Sequence, residues 1–413
     1  MASKLTNFLS SKTFMVVVSL FGLYLLSTGS SWALFSYLVE DPGFATDKEI
    51  EKARSKIGDG LPKTETCPIN GKMYSVPERE IWENRRPLTA MIENHLDARP
   101  LSGVSKADVV YEAVAEGGIT RFMAVYYCGA ASEDFDVAVI RSARVYYINW
   151  AAEYGDRPLF LHWGGANNIC NNCPGGVKLR GQIDPRVDAF KLLNQIGWRN
   201  GQYGNDLDGQ SNFGYPALVR VQDRLNKGER TPDEHTPTTH MDELYKQVEK
   251  RGYTNVDTKG KEWDASFREW KFTDEKPAAS PAAGEISFDF WSNKSDYSVK
   301  WVYDKASNTY LRQNGGVAFT DYHFDNEQIA SKNVLIQFVR EEGPVDQEGH
   351  MYYKVTGTGD GLLFQNGDVV EITWEKDDLT SRTIFYGEDG KEVTFVRGEI
   401  WIEAVPNGNK INY

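Results

Sequence analysis

Residues 13–39 read "TFMVVVSLFGLYLLSTGSSWALFSYLV", without one charged side chain. A helix crosses a bilayer core with about 20 mostly apolar residues, so this run predicts a single transmembrane helix within an anchor or signal region spanning 1–40. Lys4 and Lys12 precede it, and Glu40 and Asp41 follow it. Positive flanks stay on the cytoplasmic side, which places the remainder of the chain outside the cell membrane as an extracytoplasmic body. A cleavable signal ending at Ser31-Trp32-Ala33 is the competing reading. The apolar text continues past Ala33 through "LFSYLV" and favours a retained anchor. No cysteine lies nearby, so attachment of a diacylglyceryl group is excluded.

The 413 residues allow two domains, each with its own core. Acidic residues outnumber basic ones 59 to 46, a net charge of −13, which argues against nucleic acid as a partner. Export permits disulfides. "CNNCPGG" has the spacing of a redox motif or half a zinc site, but a second such pair is absent and Pro174-Gly175-Gly176 breaks the helix that a redox motif opens. The expectation is a staple at Cys170–Cys173 and a second bridge at Cys67–Cys128.

A spacer at 41–75, containing the charged "DKEIEKARSKIGDG", leads into strand-like runs "LTAMIEN", "DVVYEAVAE", "RFMAVYYC" and "DVAVIRSARVYYI". "YYINWAAEY", "PRVDAFKLLNQIG" and "HMDELYKQVEKRGY" have helical spacing, and "LFLHWGG" reads as a buried strand. Alternation of strands and helices predicts an α/β domain over 76–255, a mixed sheet with flanking helices. "TDEKPAASPAAGE" marks a linker within 256–285. From 286 to 413, short alternating strands joined by Gly, Asn and Asp turns predict a small all-β domain.

The segment 86–122 concentrates polar groups in apolar text: Glu93, Asn94, His95, Asp97, Arg99, Glu112, Glu116 and Arg121. Strand periodicity puts Ala90, Ile92 and Asn94 on one side and Glu93 and His95 on the other. It also puts Glu112, Val114 and Glu116 on a common face, where paired carboxylates suit acid–base work. "VIRSARVYY" adds Arg141 and Arg144, whose forks bind carboxylate or phosphate. Pairing of these arginines with Glu112 or Glu116 is the other possibility. His95, with carboxylates around it, is the better acid–base candidate; His162 in "LFLHWGGANN" reads as a hydrogen-bonded core residue or a ligand contact. "HTPTTH", with His235 and His240, matches no helical metal motif and reads as a loop. Ser102 and Ser142 are the available nucleophiles, without a G-x-S-x-G elbow. Neither a metal nor a cofactor is assigned.

The run from Arg86 through Tyr127, followed by "VIRSAR" and "LHWGGA", resembles the YerB-like bacterial lipoproteins, the DUF3048 family of unknown function. Arg86, Asn94, His95, Arg99, Ser102, Gly103, Asp108, Glu112, Glu116, Gly117, Gly118, Thr120 and Arg121 carry the match. "VYDKASNTYLRQNGG", "NVLIQF", "GTGDG", "ITWEK" and "RGEIWIEAVP" are similar to the family's second domain. The chain departs from the family in lacking a lipid-attachment cysteine and in carrying "CNNCPGG", which looks like an insertion. The resemblance implies an extracytoplasmic, membrane-attached protein of the bacterial cell envelope. Three activities follow as expectations. The first is binding of an anionic or glycan envelope ligand by Asn94, Arg99, Arg121, Arg141, Arg144 and His162. The second is an enzyme acting on wall glycan or peptide, with His95, Glu112 and Glu116 as acid–base groups, and the third is a protein-interaction scaffold.

Overall fold

The apolar runs of both halves of the sequence join one large sheet. The computed structural model describes residues 16, 19–27, 30, 47–58, 60–167, 183–201 and 203–413. The chain is mostly β with a few short helices, so the expected α/β half is corrected: its helices Val76–Trp82, Val145–Ala151, Ala189–Gln195 and Met241–Lys250 are present but short. Residues 19–27 are helical, and among the described residues no helix is long and apolar enough to cross a membrane. Most of the expected anchor lies outside the described residues, as do Cys170 and Cys173.

Five strands of the main sheet come early in the chain: β1 (Leu88–Glu93), β2 (Val109–Glu116), β3 (Ile119–Tyr126), β4 (Leu159–His162) and β5 (Asp206–Asp208). Five more come late: β6 (Asn333–Glu342), β7 (Gly357–Gln365), β8 (Asp368–Lys376), β9 (Ile384–Gly387) and β10 (Ile400–Pro406). Their spatial order is β9-β8-β7-β6-β10-β2-β3-β1-β4-β5, and Tyr352–Lys354 pairs with the end of β6. The seam between halves is parallel, with Ile400 beside Val109 and Glu403 beside Glu112. β10 is buried along its whole length, because "IWIEAVP" is covered on both faces and flanked on both edges. Residues 49–413 accordingly form one compact unit.

A second sheet, built on Glu285–Phe288, Val299–Asp304 and Thr309–Asn314, covers one face of the main sheet. Trp301 meets Trp401 edge-on at 5.3 Å, and Phe319 meets Phe122 at 5.6 Å. Helix Val145–Ala151 covers the opposite face, where Trp150 stacks on Tyr111 at 5.2 Å and the Ala113 N–H donates to the Tyr147 hydroxyl at 3.1 Å. The Pro/Ala-rich stretch is tied down: Lys271–Thr273 pairs with Thr394–Val396, and the N–H groups of Ala278 and Ala283 donate to the carbonyls of Asn366 and Gly367. Cys67 and Cys128 are joined in a disulfide, which fastens the lead-in segment to the end of β3. Beneath it the buried Asp108 carboxylate accepts from the N–H groups of Tyr127, Cys128 and Gly129 and from Asn70 Nδ2.

Candidate functional site

The polar residues of segment 86–122 divide between the two faces of the main sheet. On the face under the second sheet, Glu112 is fully buried and its Oε2 accepts from Arg312 Nη2 at 2.6 Å. Arg312 Nη1 donates to Glu403 Oε1 at 2.7 Å, and Trp301 Nε1 donates to the same oxygen at 3.0 Å. The guanidinium is enclosed by Trp401, Trp301, Phe319 and Phe122. Asn94 donates to Thr120 Oγ1 at 2.7 Å and to Asn314 Oδ1 at 2.9 Å, and accepts from Arg99 Nε at 3.0 Å. Arg99 reaches onward to the Asp296 carbonyl and lies over Tyr297. Glu112, Asn94 and Arg99 therefore hold the two sheets together.

Glu116 lies elsewhere, and a β-bulge is the reason. Glu112 pairs with Phe122 and Val114 with Thr120, but Glu116 pairs with Ile119, leaving Ala115 as the extra residue. One extra residue reverses the direction of all that follow. Glu116 consequently shares a face with Arg121 rather than with Glu112, which corrects the common face expected for the three positions. Arg121 Nη2 bonds Glu116 Oε2 at 3.2 Å, and Arg144 pairs with the other carboxylate oxygen. Arg121 Nη1 also donates to the Ser142 carbonyl at 2.9 Å. Both guanidiniums are nearly sealed, whereas the Glu116 carboxylate is 29 % exposed. Burial lowers the pKa of Arg121 and Arg144.

Glu93 projects to this same face, directly across from Arg121. Its carboxylate pairs with Arg141 Nε at 3.0 Å and accepts from His235 Nδ1 at 2.7 Å. That bond raises the His235 pKa against burial. His95 stacks on His235, ring centres 4.9 Å apart and planes 15° apart, and its Nδ1 accepts from the Asp97 N–H at 3.2 Å. The donor atoms of His95, Asp97 and His235 lie within 4.8 Å of one another. Three arginines and His235 thus meet two carboxylates at one end of the sheet, and Arg141, Glu116 and His95 remain open to solvent. The sequence reading passed over His235 because its neighbours spell a loop; only the fold brings it to Glu93.

His162 sits apart from both groups. It is fully buried; Nδ1 contacts the Gly164 carbonyl at 2.7 Å and Nε2 contacts Asp206 Oδ1 at 2.8 Å. A carbonyl and a carboxyl oxygen on the two ring nitrogens favour the doubly protonated ring, and the carboxylates of Asp206 and Asp208 raise its pKa despite burial. Arg199 adds a second cation beside Asp206 and Asp208. Ser142 Oγ donates to the Trp163 carbonyl and Ser102 Oγ accepts from Arg224, so neither is set against a histidine.

A seam joining two halves, with Asn94, Glu112 and Thr120 facing it from one side and Arg312, Asn314 and Glu403 from the other, defines a two-part chain whose parts fold together. This chain belongs to the DUF3048 family: residues 75–183 match the "Protein of unknown function (DUF3048) N-terminal domain" and residues 286–402 its C-terminal domain. It is similar to the "Putative lipoprotein YerB" of Bacillus subtilis (strain 168), 30% identical over 356 residues, which span 84% of this chain and 89% of that one. The crystal structure of the YerB protein from Bacillus subtilis has a similar fold, with a TM-score of 0.61 at 27% identity, covering 85% of this chain and 100% of that one.

Proposed function

We propose that this protein is tethered to the membrane through residues 13–39 and binds an anionic ligand of the bacterial cell envelope outside the cell. One observation carries the binding reading. In a chain of net charge −13, Arg121, Arg141 and Arg144 gather with His235 around Glu93 and Glu116, with Asp97, Glu234 and Asp346 as further acidic groups near them. Three guanidinium groups converging beside partly exposed side chains favour a phosphate or carboxylate, which guanidinium forks bind bidentately. The lipoprotein description of the Bacillus relative supports an envelope location.

The test is titration of a phosphodiester-linked wall polymer into the full chain held in detergent micelles, with a neutral glycan as control. Arg141→Ala removes a partly exposed arginine and is expected to weaken polymer binding about 10–100-fold, the worth of a charge-assisted contact. Equal affinity for the neutral glycan, or no change in Arg141→Ala, refutes an anion site. The tether is checked by alkaline extraction of membranes, from which the full chain should stay in the pellet.

A second reading, an acid–base enzyme, draws on the 2.7 Å contact between Glu93 and His235 with His95 stacked beside it. It moves the acid–base pair away from Glu112, which Arg312 seals. Turnover of a wall glycan or peptide that disappears in Glu93→Gln while polymer binding persists would favour it.

A further inference from the structure

We propose that His95, Asp97 and His235 form a binding site for a first-row divalent cation, with Zn2+ as the type, on the surface beside Arg141. The geometry is close to a ligand set already. His95 Nδ1 lies 3.6 Å from Asp97 Oδ2, and His235 Nε2 lies 4.0 Å from the same oxygen. A tetrahedral ion with metal–donor distances of about 2.0–2.2 Å sets its ligand atoms roughly 3.3 Å apart. Closing on the ion is a matter of tilting two side chains, since His95 is one-third exposed and Asp97 is 64 % exposed.

The third ligand is the fixed one. His235 is 5 % exposed, and its Nδ1–H is committed to Glu93 at 2.7 Å. That bond commits Nδ1 as the donor, so Nε2, 4.0 Å from Asp97 Oδ2, is the nitrogen that binds the ion in exchange for a proton. A carboxylate behind a histidine is the arrangement that orients metal-bound imidazoles and raises their basicity. Glu93 is in turn held by Arg141. His95 Nδ1 spends its lone pair only on the Asp97 N–H at 3.2 Å, a contact the ion replaces. Two imidazoles and one carboxylate suit a borderline metal better than Mg2+ or Ca2+, which take oxygen ligands. Three protein ligands leave a fourth position for water or an anionic group. Arg141 pairs with Glu93, the carboxylate behind His235, so the cation site and the arginines share that carboxylate.

This site does not rest on the anion-binding reading. The experiment adds Co2+ to the full chain in detergent micelles and follows visible absorption, then displaces the cobalt with Zn2+. One equivalent of Co2+ with tetrahedral-type bands is expected. Glu93→Gln should weaken binding about 10–100-fold, the usual loss for an outer partner, and Asp97→Ala and His235→Ala by more. Asp97 is exposed, so Asp97→Ala should keep the wild-type melting curve and isolates the ligand effect from folding. Absence of bands in the wild type, or bands that persist in both Asp97→Ala and His235→Ala, overturns the cation site. A wild-type chain that binds no cobalt but still binds the polymer overturns it while leaving the anion site standing.

Discussion

Arg312 illustrates what a single side chain does in this fold. Two carboxylates and one guanidinium share a sealed space, and full ionisation would leave an unpaired buried charge. Burial, and next the charge of Glu112, raise the Glu403 pKa well above the usual carboxylate range. That direction favours the neutral acid at Glu403, with Glu112 facing Arg312 Nη2 on the other side of the guanidinium. Two substitutions separate these roles. Arg312→Met strands the Glu112 charge and should cost about 3–5 kcal/mol. Glu403→Gln keeps the Oε1 acceptor for Arg312 and Trp301 and replaces the acid proton by an amide N–H, so it should cost less than about 1 kcal/mol. Urea denaturation measures both, and comparable losses would contradict a protonated Glu403. The pH dependence has a fixed sign. A carboxyl with a raised folded-state pKa adds stability that is complete below its unfolded value near 4.5 and is lost as pH rises through the folded value. The wild type should lose that increment progressively as pH rises above about 4.5, and Glu403→Gln should not. Asp108 gives a third test at this scale. Both its oxygens face only N–H donors, so Asp108→Asn must turn an NH2 toward two of them and should cost about 2–4 kcal/mol. Glu112 stood out in the sequence as an acid within an apolar run, and Asp108 only as one of the residues that carry the family match. Arg312, 200 positions beyond Glu112, had no local mark as its partner.

At the scale of elements, strand text was legible and strand irregularity was not. The runs around Leu88, Val109, Ile119 and Leu159 became strands, and the helical spacing at Val145, Ala189 and Met241 became helices. Alternation put Glu93 and Asn94 on opposite faces correctly, because β1 pairs without a break. It failed for Glu116 because the bulge at Ala115 leaves no residue signature; alanine fits a bulge or a regular strand equally well. The turn after the bulge is more explicit. Gly117 and Gly118 both have positive φ, 54° and 81°, the region where residues with a Cβ are strained. Only Gly118 is also crowded: a Cβ there would lie 2.5 Å from Lys294 Cγ and 2.9 Å from the Trp291 ring, whereas nothing lies within 4 Å at Gly117. Gly117→Asn should therefore cost less than about 1 kcal/mol, since asparagine tolerates this conformation. Gly118→Ala combines strain with a clash and should cost about 2–3 kcal/mol. Thermal melting of the two variants checks the contrast, and equal shifts would mean that contact with the connection between Glu285–Phe288 and Val299–Asp304 does not matter.

For the whole molecule, the composition break near residue 280 suggested two bodies, and the sheet runs through both. "RGEIWIEAVP" held the hint: a run apolar on both faces belongs at a sheet's centre, not in a small half-exposed domain. In the fold, β10 lies between β6 and β2 and uses both edges. Residues 286–413 alone would leave the β2 edge of β10 unpaired over Ile400–Glu403. They would also lose Glu112 from Arg312, exposing N–H and C=O groups and stranding a buried guanidinium. Residues 75–285 alone would bare the opposite edge of β2 and uncover Asn94, Glu112 and Phe122. The two parts are thus coupled by backbone pairing and by a buried charge pair, interactions lost together when either part opens. Guanidinium unfolding of the full chain should show one transition, with the same midpoint by far-UV circular dichroism and by tryptophan fluorescence. Residues 286–413 expressed alone should lack near-UV dichroism and regain it when mixed with residues 75–285. Two separated transitions, or a separately folded C-terminal part, would show that the seam is a contact between finished domains and not part of a common core.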